Sequence, residues 1–322
     1  MKEKRYEESI EKYRKVLLGI VCVIAAMLIA SSVYNKICLA SEKDLLENQI
    51  YGQKVEVDGH DMSVYVAGEG KHTLVFLAGS GDTAPILGYK RFIDRFEKDY
   101  RVVVIEKFGY GYSDAFDGSR DVETRVDQDR QALKAVGVEG PYILCPHSYS
   151  GLETVYWAQT FPDEVEAIAG LDMAVPGAYD HYDEKEIKSL APSYFWYRVA
   201  REAGILRFMV KGAIPDGYSD EEINSYMALV CSRFCNKTVS REGDYIIHDR
   251  TVIESMKMPD IPTLLIISDG TIEEGWREYA EGYASCVADA AIVQLDCGHS
   301  VYLLEPDKCE NAMREFLKRL EK

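Results

Sequence analysis

ILCPHSYSGLE, residues 143–153, carries three apolar residues into Pro146 and then sets His147, Ser148, Tyr149, Ser150 and Gly151 in unbroken succession. An apolar strand that gives way at once to a helix has to turn sharply, and the residue at the corner is pushed out of the sheet with its side chain exposed. Such a turn closes only if the residues two before and two after the corner are small. With Ser148 at the corner those places hold Pro146 and Ser150; with Ser150 there, Leu152 would stand where a small residue is needed. Ser148 is therefore the candidate nucleophile, and His147 beside it reads as structural. The following GLETVYWAQTFPDEV, 151–165, reads as a helix whose N-terminal dipole would favour negative charge near Ser148.

Outward from this corner, short continuous apolar runs recur at 102–106 (VVVIE), 142–145 (YILC), 167–171 (AIAGL), 263–267 (TLLII) and 291–295 (AIVQL). Strands apolar on both faces suit a parallel sheet covered by helices. Helical spacing is expected at 121–136, 151–161, 273–285 and 306–321, the last with Met313, Phe316, Leu317 and Leu320 on one side. Before them, residues 54–79 alternate apolar and polar positions around Asp58-Gly59 and Gly68–Gly70, the pattern of a hairpin followed by a buried strand. The fold class is α/β.

The alternation breaks once, between the 167 and 263 runs. Ser219-Asp220-Glu221-Glu222 is a capping box ahead of Ile223, Tyr226, Met227 and Val230 at helical spacing, and SYFWYRVAREAGILRF, 193–208, is rich in aromatics. Residues 174–250 are expected to form a helical lid, with cores at 53–173 and 251–322. Its aromatics either pack within the lid or, as Tyr194, Phe195 or Trp196, line a substrate pocket.

At the N-terminus, Val16–Asn35 is twenty residues without a charge, long enough at ~1.5 Å per residue to cross roughly 30 Å of hydrocarbon. Lys2, Lys4, Arg5, Lys12, Arg14 and Lys15 precede it, against Lys36 and Lys43 after it. This bias places residues 1–15 in the cytoplasm, 16–35 in the membrane, and a linker at 36–52 with the rest of the chain outside. Two readings compete: a signal peptide cut after Ala30 and Ser32, and a buried first helix of a soluble protein. A lipid anchor is disfavoured by Val21 before Cys22 and Ile37 before Cys38.

A formal charge of −17 without clustered Lys and Arg excludes nucleic acid as a partner. Eight cysteines match no zinc spacing and are too few for a disulfide scaffold, although Cys297 could pair with Cys309 or Cys286 in an oxidising compartment. Neither a metal nor a cofactor is expected. Asn236-Lys237-Thr238 fits the glycosylation sequon by pattern alone.

Five segments in order, LVFLAGSGD (74–82), VVVIEKFGYGYSD (102–114), PHSYSG (146–151), PTLLIISDG (262–270) and LDCGHSVYLLEP (295–306), resemble the oxyanion loop, the Asp-x-x-Gly-x-Gly-x-Ser segment, the nucleophile elbow, the acid strand and the histidine loop of the lidded serine hydrolases of the α/β-hydrolase superfamily. The resemblance covers residues 53–321. It implies a mostly parallel central sheet with helices on both faces, and a helical lid inserted after the sixth strand. It also implies Ser148 as nucleophile, His299 as general base and Asp269 as orienting acid, with Asp172 at the end of the 167 run as the alternative acid. The backbone N–H groups of Ser80 and Tyr149 would then form the oxyanion hole. Where family members usually carry Gly, His and Asp, this chain has Pro146 and Ser150, Ala78, and Glu106; none of these departures removes a reacting group.

The expected activity is hydrolysis of a small-molecule carboxylic ester or amide through an acyl-enzyme. An aminopeptidase would add a carboxylate for the substrate ammonium, from a lid residue such as Glu221 or Asp244. The alternatives are carbon–carbon bond hydrolysis by the same triad and a non-catalytic binding or sensing module on the same fold.

Overall fold

The structure, a computed structural model, describes residues 2–210, 214 and 217–321; the part of the expected lid at 211–213 and 215–216 lies outside the described residues. Eight strands form one sheet: β1 (Gln53–Val57), β2 (His60–Ala67), β3 (Thr73–Leu77), β4 (Arg101–Glu106), β5 (Tyr142–Ser148), β6 (Val165–Met173), β7 (Thr263–Ile267) and β8 (Ala290–Gln294). Their order is β1-β2-β4-β3-β5-β6-β7-β8. The β1–β2 hairpin turns on Asp58 and Gly59, both at positive φ, and β2 joins β4 antiparallel; every later pairing is parallel.

Thirteen α-helices are present among the described residues: α1 (Lys2–Ser41), α2 (Lys43–Glu47), α3 (Pro85–Ile93), α4 (Val122–Ala135), α5 (Ser150–Thr160), α6 (Glu184–Glu202), α7 (Ile205–Val210), α8 (Asp220–Arg233), α9 (Lys237–Ser240), α10 (Ile246–Glu254), α11 (Trp276–Ser285), α12 (Val301–Leu304) and α13 (Pro306–Leu320). Strand periodicity sorts them into two layers. Val75 and Leu77 of β3 point to one face, where α4, α5 and α11 bring Val126, Leu133, Val155, Trp157 and Tyr283. Leu74 and Phe76 point to the other, against Tyr89 and Phe92 of α3 and Met313 and Phe316 of α13. Strand β3 is buried at every position, as its unbroken apolar run requires.

Between β6 and β7 lie α6–α10. Helix α8 begins at the Ser219–Glu222 capping box read from the sequence, and both reciprocal hydrogen bonds are formed. Helix α11 starts at Trp276 rather than 273, because Gly275 at its N-cap is left-handed. Along α1, Ser9–Ser41 is long and apolar enough to cross a membrane, and no residue of its most apolar window is buried. All eight cysteines are free, so the pairing considered for Cys297 is not formed. Asn236 caps α9, and its side-chain amide donates to the carbonyls of Gly109 and Arg233. That amide is therefore committed to packing.

Candidate active site

Ser148 ends β5 with φ 53°, a left-handed conformation that a non-glycine residue holds only where surrounding structure enforces it. Two close approaches enforce it here. Gly151 passes so near β6 that a Cβ would stand 1.9 Å from the carbonyl oxygen of Ala174. A Cβ on Gly79 would stand 2.7 Å from the Cβ of Ser148. The Ser148 carbonyl accepts from the Ala174 amide at 2.8 Å, and Ser150 Oγ donates its one hydrogen to the Leu77 carbonyl at 2.7 Å while accepting from the His147 amide at 3.1 Å. Hence Ser150 serves as a tie within the corner, and Ser148 is the residue left facing the cavity. Gly151→Ala is expected to cost at least about 1–3 kcal/mol, read as a melting temperature lower by roughly 2–4 °C per kcal/mol.

His299 lies in the loop between β8 and α12, with its ring between His147 (centroids 4.6 Å apart) and Trp276 (5.6 Å). Its Nδ1 is 2.6 Å from Asp172 Oδ2. The sequence reading favoured Asp269 for this place, and the geometry corrects it. Asp269 is exposed and curls back on its own loop, accepting from the amide and hydroxyl of Thr271. What ties it to the histidine loop is its backbone N–H, which donates to the Cys297 carbonyl at 2.8 Å.

Asp172 instead sits buried in β6 with φ 52°, and its Oδ1 accepts from the Ser268 amide at 2.8 Å and from Trp276 Nε1 at 2.9 Å. Burial by itself would raise its pKa; the hydrogen bonds from His299, Ser268 and Trp276 outweigh that and hold it below the ordinary aspartate value. An ionised carboxylate only accepts, so Nδ1 of His299 carries the hydrogen and Nε2 is left with its lone pair free.

His147, read from the sequence as structural, is buried beside His299 and also lines a cavity flanking Ser148. Burial, followed by the neighbouring His299, lowers its pKa to about 3, so it stays neutral. Its Nε2–H donates to the His299 carbonyl at 3.2 Å, linking the corner to the histidine loop.

Ser80 and Tyr149 line with Ser148 a cavity of about 320 Å³ whose other walls include Tyr179, Tyr182, Tyr194 and Trp276, with Glu273 at one side. A second cavity, of about 260 Å³, opens on the other flank of Ser148 between His299, Tyr226, Tyr302 and Asp82. Of the aromatics considered for the pocket only Tyr194 reaches it; Phe195 and Trp196, on the same helix, face outward. The carboxylates lining the cavities are Glu273 and Asp82, while Glu221 and Asp244 are exposed elsewhere. Burial raises the pKa of Asp82 to about 6.

Beneath the corner runs an ionic network that no sequence pattern announced. The Tyr149 hydroxyl donates to Asp249 Oδ2 at 2.8 Å; Arg125 bridges Asp249 (2.8 Å) and Glu153 (2.6 Å); Lys107 binds Glu153 at 2.8 Å. Arg120 and the Tyr110 hydroxyl both reach Glu242 at 2.6 Å. Three cations thus meet three carboxylates. A fourth carboxylate, Asp129, makes no hydrogen bond among the described residues, and burial followed by the charge of Glu153 raises its pKa to about 8. The shift favours its neutral form, which leaves the three cations to the three hydrogen-bonded carboxylates.

The sheet order, its two helical layers and the serine corner define an α/β-hydrolase fold. Solved structures of that fold superpose on it: an epoxide hydrolase of Vigna radiata (TM-score 0.67, 16% identity, 83% of this chain and 97% of that one), an epoxide hydrolase of Bacillus megaterium (0.65, 18%, 83% and 100%), and a thermophilic esterase of Thermogutta terrifontis (0.64, 17%, 84% and 100%). No family model matches the sequence. The chain belongs to the same family as the uncharacterized protein YbdG of Bacillus subtilis (strain 168), with which it is 32% identical over 323 residues spanning 95% of this chain and 98% of that one.

Proposed function

We propose that the protein is a membrane-anchored serine hydrolase of carboxylic esters or amides, held by α1 with its catalytic domain outside the cytoplasm and with residues 174–250 as a lid over the site. The observation that carries this reading is Ser148 at a left-handed corner, sharing a cavity with a His299 whose Nδ1 is bound by buried Asp172 at 2.6 Å.

In this mechanism Ser148 Oγ attacks the substrate carbonyl carbon while its proton passes to His299 Nε2. The oxyanion accepts from the amides of Ser80 and Tyr149, a stabilisation worth ~3 kcal/mol per donor. His299 then protonates the leaving oxygen or nitrogen as the carbon–heteroatom bond breaks. Water enters, loses its proton to His299, and releases the acid from Ser148.

Two of the structural neighbours are epoxide hydrolases, but a serine at the corner argues against that chemistry here. Opening an epoxide with Ser148 Oγ would leave a dialkyl ether on the enzyme. Such an ether has no carbonyl for water to attack, so turnover would stop at the first cycle. An acyl ester on Ser148 keeps its carbonyl and is hydrolysed.

An amide substrate with a free amino group is a second reading, favoured by the carboxylates of Glu273 and Asp82 in the cavities flanking Ser148. Fluorophosphonate treatment of the full chain in detergent, with the adduct mapped by mass spectrometry, tests the proposal. Labelling is expected at Ser148 and should vanish in Ser148→Ala and His299→Ala. A folded protein that takes no label would favour the non-catalytic binding module.

A further inference from the structure

Helix α6 has two different faces. Tyr194 faces the cavity over Ser148, whereas Phe195 and Trp196, 52% and 64% exposed, face away from the body of the protein with Val199. Helix α7 adds Phe208 and Met209, 66% and 65% exposed. An outward apolar surface of this kind is costly in water and ordinarily marks something that covers it.

What lies next to it is α1. Ser32 Oγ donates to the Glu202 carbonyl at 2.8 Å, Arg207 Nε donates to Asn35 Oδ1 at 3.0 Å, and the two Arg207 NH groups grip Glu42 at 2.6 and 2.8 Å. Tyr34 stacks on Phe208, and Gly204 admits the α1 backbone so closely that a Cβ would come 2.7 Å from the Ser31 carbonyl. A groove of about 470 Å³ then runs between Leu28 and Ile29 of α1 and Phe195 and Val199 of α6, with Arg198 at its side.

The depth of this contact follows from helix geometry. Leu28 is seven residues before Asn35, at the outward end of the uncharged run, and so lies roughly 10 Å inside that end. Phe195 and Val199, which flank Leu28 and Ile29, are carried to the same level. At that depth Phe195 and Val199 lie among the acyl chains of the outer leaflet, while Glu202, which also lines the groove, stands beside Ser32 nearer the outward end, and the long Arg198 side chain can extend toward the head groups.

We propose that the outer face of α6 and α7 is seated in the outer leaflet of the bilayer, and that the substrate class is an acyl ester resident in that leaflet, which reaches Ser148 past Tyr194. This rests on the anchored-hydrolase reading above. It also gives α6 a role that neither core packing nor pocket lining would supply: its inner face, through Tyr194, lines the cavity of Ser148 while its outer face meets lipid.

The test uses the full chain in phosphatidylcholine vesicles, with and without dibrominated lipid. The chain has three tryptophans, and Trp157 and Trp276 are buried. Brominated lipid is expected to quench emission that Trp196→Phe removes. A protein that stays in the vesicles through an alkaline carbonate wash yet keeps its full Trp196 emission overturns the docking and leaves the anchor intact. A protein that the wash releases overturns both. Quenching needs no turnover, so this arm stands or falls independently of hydrolysis.

In the second arm, Phe195→Glu with Trp196→Glu is expected to slow hydrolysis of a long-chain fluorogenic ester in the bilayer by about tenfold, the equivalent of burying one aromatic side chain. Hydrolysis of p-nitrophenyl acetate in solution should be unchanged. Equal loss on both substrates, or loss on neither, overturns the assignment of substrate class.

Discussion

Asp172→Asn is expected to lower turnover of an activated ester by about 10⁴-fold, the scale seen when a triad acid is made neutral with its geometry kept. The reason lies in the three donors around the carboxylate. Oδ1 already accepts from Ser268 and Trp276, so the asparagine carbonyl will occupy that position and its NH₂ will face His299 Nδ1. An NH₂ group there donates, which forces the histidine hydrogen onto Nε2 and removes the base that Ser148 needs. Asp269→Asn, by contrast, keeps its hydrogen bonds with Thr271 through the carbonyl and should change turnover little. Steady-state kinetics on the two variants side by side decides between the acids; a large loss in Asp269→Asn with little in Asp172→Asn would reverse the assignment.

Arg125→Ala should destabilise the protein by about 3–5 kcal/mol, because it strips the cation from two fully buried carboxylates, Glu153 and Asp249, at once. Lys107 still serves Glu153, but Asp249 keeps only the Tyr149 hydroxyl and the Val122 amide. Thermal denaturation followed by circular dichroism is expected to show a melting temperature lower by roughly 6–20 °C, at about 2–4 °C per kcal/mol. Activity below the transition should also fall, since Asp249 of α10 holds the side chain of Tyr149, whose amide is proposed to bind the oxyanion. An unchanged melting temperature would mean that the network is not what fastens α10 to the corner.

Much of this architecture is legible in local patterns. The apolar runs at 102, 142, 167 and 263 are strands because residues buried on both faces have no polar positions to alternate with, and the Asp58-Gly59 pair sets its hairpin because both residues accept positive φ. The spacing of small residues selected Ser148 over Ser150, and the corner is built that way. The cysteine count was read as too small for a disulfide scaffold, and all eight thiols are free; whether Cys297 has a partner depended on which Cβ atoms face one another, which spacing does not show.

By itself, then, the sequence determined the α/β class, the serine at the corner and an uncharged helix long enough to span a bilayer, since each depends on residues close together in the chain; His299 was reached through the resemblance of its loop. Only the tertiary structure decided which acid meets that histidine. Asp172 and Asp269 close neighbouring strands at the same edge of the sheet, and they differ in where the side chain points: Asp172, at φ 52°, turns inward to His299, while Asp269 turns back to Thr271. The Arg125 network and the contact between α6 and α1 were hidden for the same reason. Their members stand far apart along the chain, and only the folded sheet and the packing of α6 against α1 bring them together.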